Sequence, residues 1–335
     1  MYIDFFIQLA YNYIRKCFGR KIMEYVWLVV GFVLLIKGAD FFVDGASSIA
    51  GKLKVPSLII GLTVVSMGTS APETAISISA AIMGSSDLSL GNVIGSNLFN
   101  LLMVIGICSA ITPIATDPDA LKRDMPVNIG ITVAFALMII DGKLGRIDAV
   151  ILLVLFVSYL FILVTNAFKN RSEESPEQKT KSWLISIVFV VLGMAAIVFG
   201  GDLVVDNAKL IASSLGMSDT LIGLTVVALG TSLPELVTSI VASRKGESDI
   251  ALGNAVGSCL FNILFVLGSA AVISPMAANG ELLVDACILI GVTVLMLLFA
   301  FTKKKIGRVE GIICVSAYAA YTAYIIMRTY HIWMF

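Results

Sequence analysis

Two decapeptides carry most of the chemistry this chain could perform. GTSAPETAIS, residues 68–77, and GTSLPELVTS, residues 230–239, each place a glutamate, Glu73 or Glu235, directly after a proline in otherwise apolar surroundings. A carboxylate at the centre of a bilayer costs roughly +2.5 to +3.5 kcal/mol on insertion scales, so ionisable groups kept at that depth mark functional sites. Thr69 and Glu73 are four apart, as are Thr231 and Glu235, and each pair shares a helix face. Pro72 and Pro234 lack an N–H and clash with the carbonyl four residues back, so each should kink or break its helix. The carbonyls freed around Ser66–Met67 and Ala228–Leu229 then point into the protein, because irregular backbone at membrane depth persists only against protein or a cavity. Carboxylate, hydroxyl and carbonyl oxygens are the ligands that hard cations such as Na⁺ and Ca²⁺ prefer.

A second pair of motifs, GNVIGSNLFN at 91–100 and GNAVGSCLFN at 253–262, supplies neutral oxygens. Ser96 and Asn100 share a helix face, as do Ser258 and Asn262. Gly91 with Gly95, and Gly253 with Gly257, form GxxxG pairs that permit close helix approach. Two carboxylates carry a charge of about −2, enough to balance one divalent cation, with the amides and serines completing its coordination. Plainer roles compete at several positions. A serine or threonine in a span ordinarily bonds its own helix, and Asp87 and Asp249 read as helix N-caps. Asn92 and Asn254 read as hydrogen-bond links between helices, and Asp40, Asp44, Asp202 and Asp206 as span-end residues meeting water. Glu73 and Glu235 fit a purely structural role least well.

The elements that position these residues follow from composition. Of 335 residues 58% are apolar and 14% charged, with a mean hydropathy of +0.97, whereas soluble domains average about 25% charged. This is an all-α integral membrane protein. A formal net charge of zero makes nucleic acid an unsuitable partner. The five scattered cysteines form neither a disulfide framework nor a CxxC metal pair, and the single histidine, His331, excludes a histidine proton relay. Spans of about 20 apolar residues fall at 24–44, 57–83, 87–111, 126–141, 147–168, 183–203, 219–243, 249–274, 282–301 and 308–328, ten in all. The charged stretch 169–182 reads as a flexible linker between two sets of five. Residues 1–22 end in a basic cluster, lack a secretory cleavage site, and read as an N-terminal extension, interfacial or outside the core.

The halves are copies. Residues 61–106 align with 223–268 at a constant offset of 162, without a gap and with 27 of 46 positions identical. Five spans separate equivalent points, and an odd number reverses direction, so the expected architecture is two inverted five-helix repeats, 23–168 and 183–335, with broken helices at the midplane. That is a transporter plan. Fourteen basic residues fall in loops on the linker side against four on the other, which places the linker in the cytoplasm and both termini outside a cell (plasma or inner) membrane.

GTSxPE followed by GNxxGSNxxN, given twice, resembles the α-repeats of the cation/calcium antiporter superfamily, the sodium/calcium exchangers, and is most similar to the prokaryotic ten-span members. The resemblance spans Met23 to Arg328. It implies that the second, third, seventh and eighth spans surround the ions while the first and sixth slide to alternate access. Carried across by position, it makes Glu73 and Glu235 the carboxylates shared by Ca²⁺ and Na⁺. Thr69 and Thr231 would contribute largely through their carbonyls. Ser70, Ser232, Ser96 and Ser258 would flank as Na⁺ sites with the Ala228 carbonyl, and Asn100 and Asn262 would line the centre. Departures are Cys259 in place of the second motif's asparagine, expected to alter packing more than ligation, and Ser66 opposite Ala228, which makes the halves chemically unequal. Position 262 is Asn where some relatives, including potassium-dependent exchangers, carry Asp, which argues against K⁺ co-transport.

The resemblance implies an Na⁺/Ca²⁺ antiporter, with Ca²⁺ and Na⁺ as transported substrates and no cofactor; Ca²⁺/H⁺ or another cation/H⁺ exchange by the same fold is the alternative. An intramembrane enzyme with Ser70 or Ser232 as nucleophile would need a base within reach, and the repeats' spans offer no His or Lys. A channel would ordinarily build its pore from symmetric subunits, so inverted duplication within one chain fits alternating access better.

Overall fold

The computed structural model describes residues 20–116, 118, 120–169, 181–217 and 228–329. The expectations for residues 1–19, for most of the linker and for the start of the seventh span therefore fall outside the described residues. The described chain is helical apart from short turns and four two-residue strands.

Helix α1 runs Arg20–Leu53. The next expected span is a bent pair, α2 (Ser57–Thr69) and α3 (Ala71–Ile82), meeting at 50°. Helix α4 is Ser86–Ile111, α5 is Met125–Met138 behind a π-helical turn Ala120–Asp124, and α6 is Arg146–Lys169. In the second half α7 is Trp183–Ser214. Helices α8 (Ala228–Thr231) and α9 (Leu233–Arg244) repeat the α2–α3 break. Helices α10 (Ser248–Ile273), α11 (Gly280–Lys303) and α12 (Arg308–Thr329) complete the series. Seven of the described helices are long and apolar enough to cross a membrane, eight with the bent pair.

Two helices outrun their expected ends. Helix α1 continues nine residues past 44 because its polar end finds partners: Ser48 Oγ lies 2.9 Å from Ser186 Oγ, and Asp44 meets Lys245 Nζ at 2.6 Å and Lys181 Nζ at 3.3 Å. Asp40 also faces Lys245, at 3.4 Å. Of the aspartates read as meeting water, Asp40 and Asp44 instead fasten α1 to the turn between α9 and α10. Helix α7 likewise passes 203, with the Asn207 side chain folded back onto the Leu203 carbonyl at 2.7 Å, and stops before Gly216, whose φ is +85°.

Helices α1 and α7 pack along their length, and glycine makes that contact possible. A Cβ built on Gly31 would lie 2.9 Å from the Gly200 carbonyl oxygen, and one on Gly38 2.9 Å from that of Gly193. Leu35, Phe42, Val43, Ile197 and Val204 seal this pair as one buried cluster. A larger cluster holds α4, α5, α6, α10 and α11 together. Helix α9 divides between them, with Leu233 and Val237 against the first and Leu236 and Ile240 against the second. Glu235 therefore sits where the two cores meet.

The strands form two antiparallel ribbons. Ile114–Ala115 (β1) pairs with Lys305–Ile306 (β4), and Lys143–Leu144 (β2) with Met276–Ala277 (β3). Each ribbon joins one half of the chain to the other, and the repeat offset of 162 converts the pair Ile114–Ile306 into Met276–Leu144.

Replacing Gly193 by Val tests the helix pair. A Cβ there would lie 2.6 Å from the Phe42 backbone nitrogen, so α1 and α7 must part. Overpacking of this kind costs about 1–3 kcal/mol. Thermal unfolding in detergent should show a midpoint several degrees lower, whereas Gly291→Ala, where nothing described lies within 4 Å of the new methyl, should leave it unchanged.

Candidate ion-binding site

Proline makes the site by ending one helix and starting another. Pro72 and Pro234 occupy the first turns of α3 and α9, and Ser70 and Ser232 hold the N-cap positions with φ/ψ of −83°/14° and −94°/9°. An N-cap serine ordinarily accepts from its own helix's N–H groups. Neither does so here. Ser70 Oγ donates to Glu235 Oε1 at 2.8 Å, and Ser232 Oγ donates to Glu73 Oε1 at 3.0 Å. Each repeat thus supplies the hydroxyl that serves the other repeat's carboxylate. Both glutamates lie in the first turn of their helices, where the positive end of the helix dipole favours an anion. Both are 0% exposed.

Helices α4 and α10 close the site. Ser96 Oγ lies 3.5 Å from Glu73 Oε1 and 3.3 Å from Ser232 Oγ. Its repeat mate Ser258 departs from the pattern, its Oγ standing 3.5 Å from the Ser66 carbonyl. Asn92 Nδ2 donates to Ser77 Oγ at 2.9 Å and to the Glu73 carbonyl at 3.3 Å. Asn254 Nδ2 makes the same two bonds, at the same lengths, to Ser239 Oγ and the Glu235 carbonyl. These asparagines link helices, as read from sequence, and they also hold the backbone of each glutamate.

The hydroxyls of α2 are already engaged. Thr69 Oγ1 reaches the Val65 carbonyl at 3.2 Å and Asn254 Oδ1 at 3.0 Å, while Ser66 Oγ bonds the Leu62 carbonyl at 2.9 Å. With those protons engaged, Thr69 and Ser66 can offer a cation hydroxyl lone pairs and a backbone carbonyl. The π-helical segment Gly61–Val65 just before them loosens the regular ladder. Thr231 is buried, and Ala228 opens α8. In α10, a Cβ on Gly253 would lie 2.6 Å from the Leu58 carbonyl oxygen and one on Gly257 2.7 Å from Leu62 Cα. This is the close approach expected of a GxxxG pair.

Buried polar atoms almost always find partners, so the exceptions are informative. Glu73 Oε2, Glu235 Oε2, Asn262 Oδ1 and both amide atoms of Asn100 are buried without a hydrogen bond among the described residues. Asn100 and Asn262 each begin a π-helical turn, Asn100–Val104 and Asn262–Leu267, a distortion frequent at functional sites. Two carboxylate oxygens and two amide oxygens left unpaired, with hydroxyls behind the carboxylates, form a donor set suited to a hard cation.

Among the buried polar residues not singled out from the sequence, Ser77, Ser239 and Asn97 bear on the site. Ser77 and Ser239 are identical in the two repeats and follow the glutamates by four, a signal that could have found them. Asn97 had no such signal, since its repeat mate is Cys259; its Nδ2 donates to the Cys259 carbonyl at 3.1 Å and its Oδ1 accepts from Asn262 Nδ2 at 3.1 Å. Asp87 differs from its expected role: Ser85 holds the N-cap position and Asp87, in the first turn, accepts from Asn279 Nδ2 at 3.1 Å.

Removing a hydroxyl that donates to a buried carboxylate tests this geometry. Hydrogen bonds to charged groups contribute about 1.5–3 kcal/mol, equivalent to at least a tenfold change. Ser70→Ala and Ser232→Ala should each raise, by about that factor, the cation concentration needed for half-maximal thermal stabilisation. Ser158→Ala, which removes only a bond to its own helix, should not.

Comparison with known proteins bears on the family and the fold. The sequence matches the sodium/calcium exchanger protein family twice, over residues 23–165 and 185–327. It is 41% identical over 312 residues to the putative antiporter CaxA of Alkalimonas amylolytica, covering 88% of this chain and 96% of that protein. It is 34% identical over 347 residues to the sodium/calcium exchanger MaX1 of Methanosarcina acetivorans, covering 89% and 97%. A solved structure of the sodium-calcium exchanger NCX_Mj, soaked with zero Na⁺ and Ca²⁺, superposes with a TM-score of 0.81 at 35% identity, covering 91% of this chain and 99% of that one. A duplicated, multi-helix membrane protein with this pair of matching halves belongs to the sodium/calcium exchanger family.

Proposed function

We propose that this chain exchanges Na⁺ for Ca²⁺ across the membrane by alternating access. The observation that carries the proposal is that four buried oxygens, on Glu73, Glu235, Asn100 and Asn262, have no hydrogen-bond partner among the described residues. With both glutamates ionised the empty site holds a charge of about −2, and moving it past apolar side chains is costly. One Ca²⁺, or several Na⁺, removes that charge. Only occupied states then change access, which couples the two fluxes.

In this reading Glu73 and Glu235 are shared by both ions, with Asn100 and Asn262 supplying amide oxygens at the centre. Thr69, Thr231, Ser66 and Ala228 contribute backbone carbonyls. Ser70, Ser232, Ser96 and Ser258 flank as Na⁺ ligands. A hydroxyl whose proton points at a carboxylate turns its lone pairs elsewhere, so Ser70 and Ser232 can orient a glutamate and coordinate an ion at once.

The architecture we propose has ten spans in two inverted repeats, 23–168 and 183–335. The ribbons support it. Strands β1 and β2 lie at opposite ends of α5, and the repeat equivalents β1 and β3 belong to different ribbons. The basic loops support a cytoplasmic linker at 169–182 and outside termini in the inner or plasma membrane.

Calcium uptake into Na⁺-loaded proteoliposomes diluted into Na⁺-free buffer, with pH and voltage clamped by ionophores, tests the coupling. Uptake should require the outward Na⁺ gradient, and Glu73→Gln and Glu235→Gln should each abolish it in folded protein. Near-normal flux in either variant overturns the site. Uptake driven by a pH gradient and indifferent to Na⁺ moves the protein to Ca²⁺/H⁺ exchange, the second reading, which the titratable glutamates equally permit.

A further inference from the structure

Asn97 and Cys259 are repeat equivalents, 162 apart, and they touch each other. Asn97 Nδ2 donates to the Cys259 carbonyl at 3.1 Å, and Cys259 Sγ lies 3.7 Å from the Asn97 carbonyl oxygen. Each side chain points at the other's backbone, so Cys259 stands where a second asparagine would mirror Asn97. The two residues are nonetheless unequal in what they do next.

The hydrogen bonds fix amide orientations one after another. A backbone carbonyl only accepts, so the Asn97 NH₂ must face Cys259 and its Oδ1 must face away. That Oδ1 meets Asn262 at 3.1 Å, so Asn262 must present its NH₂ to it. The Asn262 oxygen is thereby turned to the opposite side, where it is buried and unpaired. One tether thus aims one amide oxygen into the site.

The mirror tether is missing. The residue related to Asn262 is Asn100, and its fixed acceptor would be the side-chain oxygen of an asparagine at 259. A thiol is a weak and shorter acceptor, and neither amide atom of Asn100 is paired among the described residues. Two amide orientations are then open to Asn100, one presenting oxygen to a cation and the other presenting N–H groups that repel it.

We infer that Cys259 is a positioning residue that leaves the Asn100 amide free to turn, so that the ion site holds one fixed amide ligand, Asn262, and one releasable ligand, Asn100. This rests on the proposed role of both asparagines as cation ligands. Its consequence is a site weakened on one side, which favours release over tight binding. Cys259 itself touches no ion; it acts by failing to hold Asn100.

The test is Ca²⁺ binding to the purified full chain, titrated by calorimetry and by cation-dependent thermal stabilisation. Cys259→Asn supplies the missing acceptor and should tighten Ca²⁺ binding roughly three- to tenfold, the range expected from the net contribution of one neutral hydrogen bond. Cys259→Ala supplies none and should leave affinity unchanged, which separates positioning from loss of the thiol. Asn97→Cys frees Asn262 and should weaken binding by a similar factor. The exchanged double variant, Asn97→Cys with Cys259→Asn, again holds one amide and frees the other, and should restore wild-type affinity. Affinity in Cys259→Asn equal to wild type, or an equal gain in Cys259→Ala, overturns the inference while leaving the exchange reading intact. Should Cys259→Asn fail to fold, an unchanged affinity in Asn97→Cys overturns it instead. A wild-type chain that binds neither Ca²⁺ nor Na⁺ overturns the exchange reading and this inference with it.

Discussion

Two carboxylates fully buried in one apolar bundle constrain almost every other choice in this molecule. Left alone, each would face the desolvation cost of an unpaired buried charge. The chain meets that cost with hydroxyls borrowed across the duplication, Ser70 for Glu235 and Ser232 for Glu73. To aim those hydroxyls the helices must break, and Pro72 and Pro234 break them one residue before the glutamates. The break then places each glutamate in the first turn of a new helix, where backbone dipoles favour its charge. The remaining carboxylate oxygens stay unpaired among the described residues, which a structural core ordinarily avoids.

Because each half serves the other's glutamate, neither half is complete alone. The reciprocity extends outward. Asn92 and Asn254 hold the glutamate backbones with bonds of equal length, and two strand ribbons join the halves in registers that the repeat offset interchanges. Glycines along α1 and α7 let those helices approach to backbone contact. The duplication is therefore a property of the contacts as well as of the sequence.

Where the halves differ, chemistry differs. Ser96 reaches a glutamate whereas Ser258 meets a carbonyl. Asn97 tethers an asparagine whereas Cys259 does not. Lys245 ties α1 to the turn between α9 and α10, while its repeat mate is Met83, and Asp206 pairs instead with Lys209 of its own helix at 3.6 Å. A perfectly symmetric exchanger would bind and release alike on both faces. These departures are the places where the two halves offer different hydrogen-bond partners.

By itself the sequence determined the helical membrane class, the duplication and the two glutamates, because hydropathy, identity at a constant offset and a charge within an apolar run are all readable along one dimension. It also marked Asn100 and Asn262 by their place in a repeated motif, and it located the helix breaks through proline. Tertiary structure alone decided which hydroxyl serves which carboxylate, since Ser70 and Glu235 are 165 residues apart and meet only through packing. It decided that the Thr69 hydroxyl donates to Asn254, 185 residues away. It decided that the aspartates at the end of α1 form ion pairs, lengthening that helix past its apolar run. It alone brought Asn97 and Cys259 into contact, a pair the repeat hides because the two residues are not alike. Motifs declare which atoms are present, but hydrogen bonds between distant helices depend on orientation, and orientation is settled only when the helices pack.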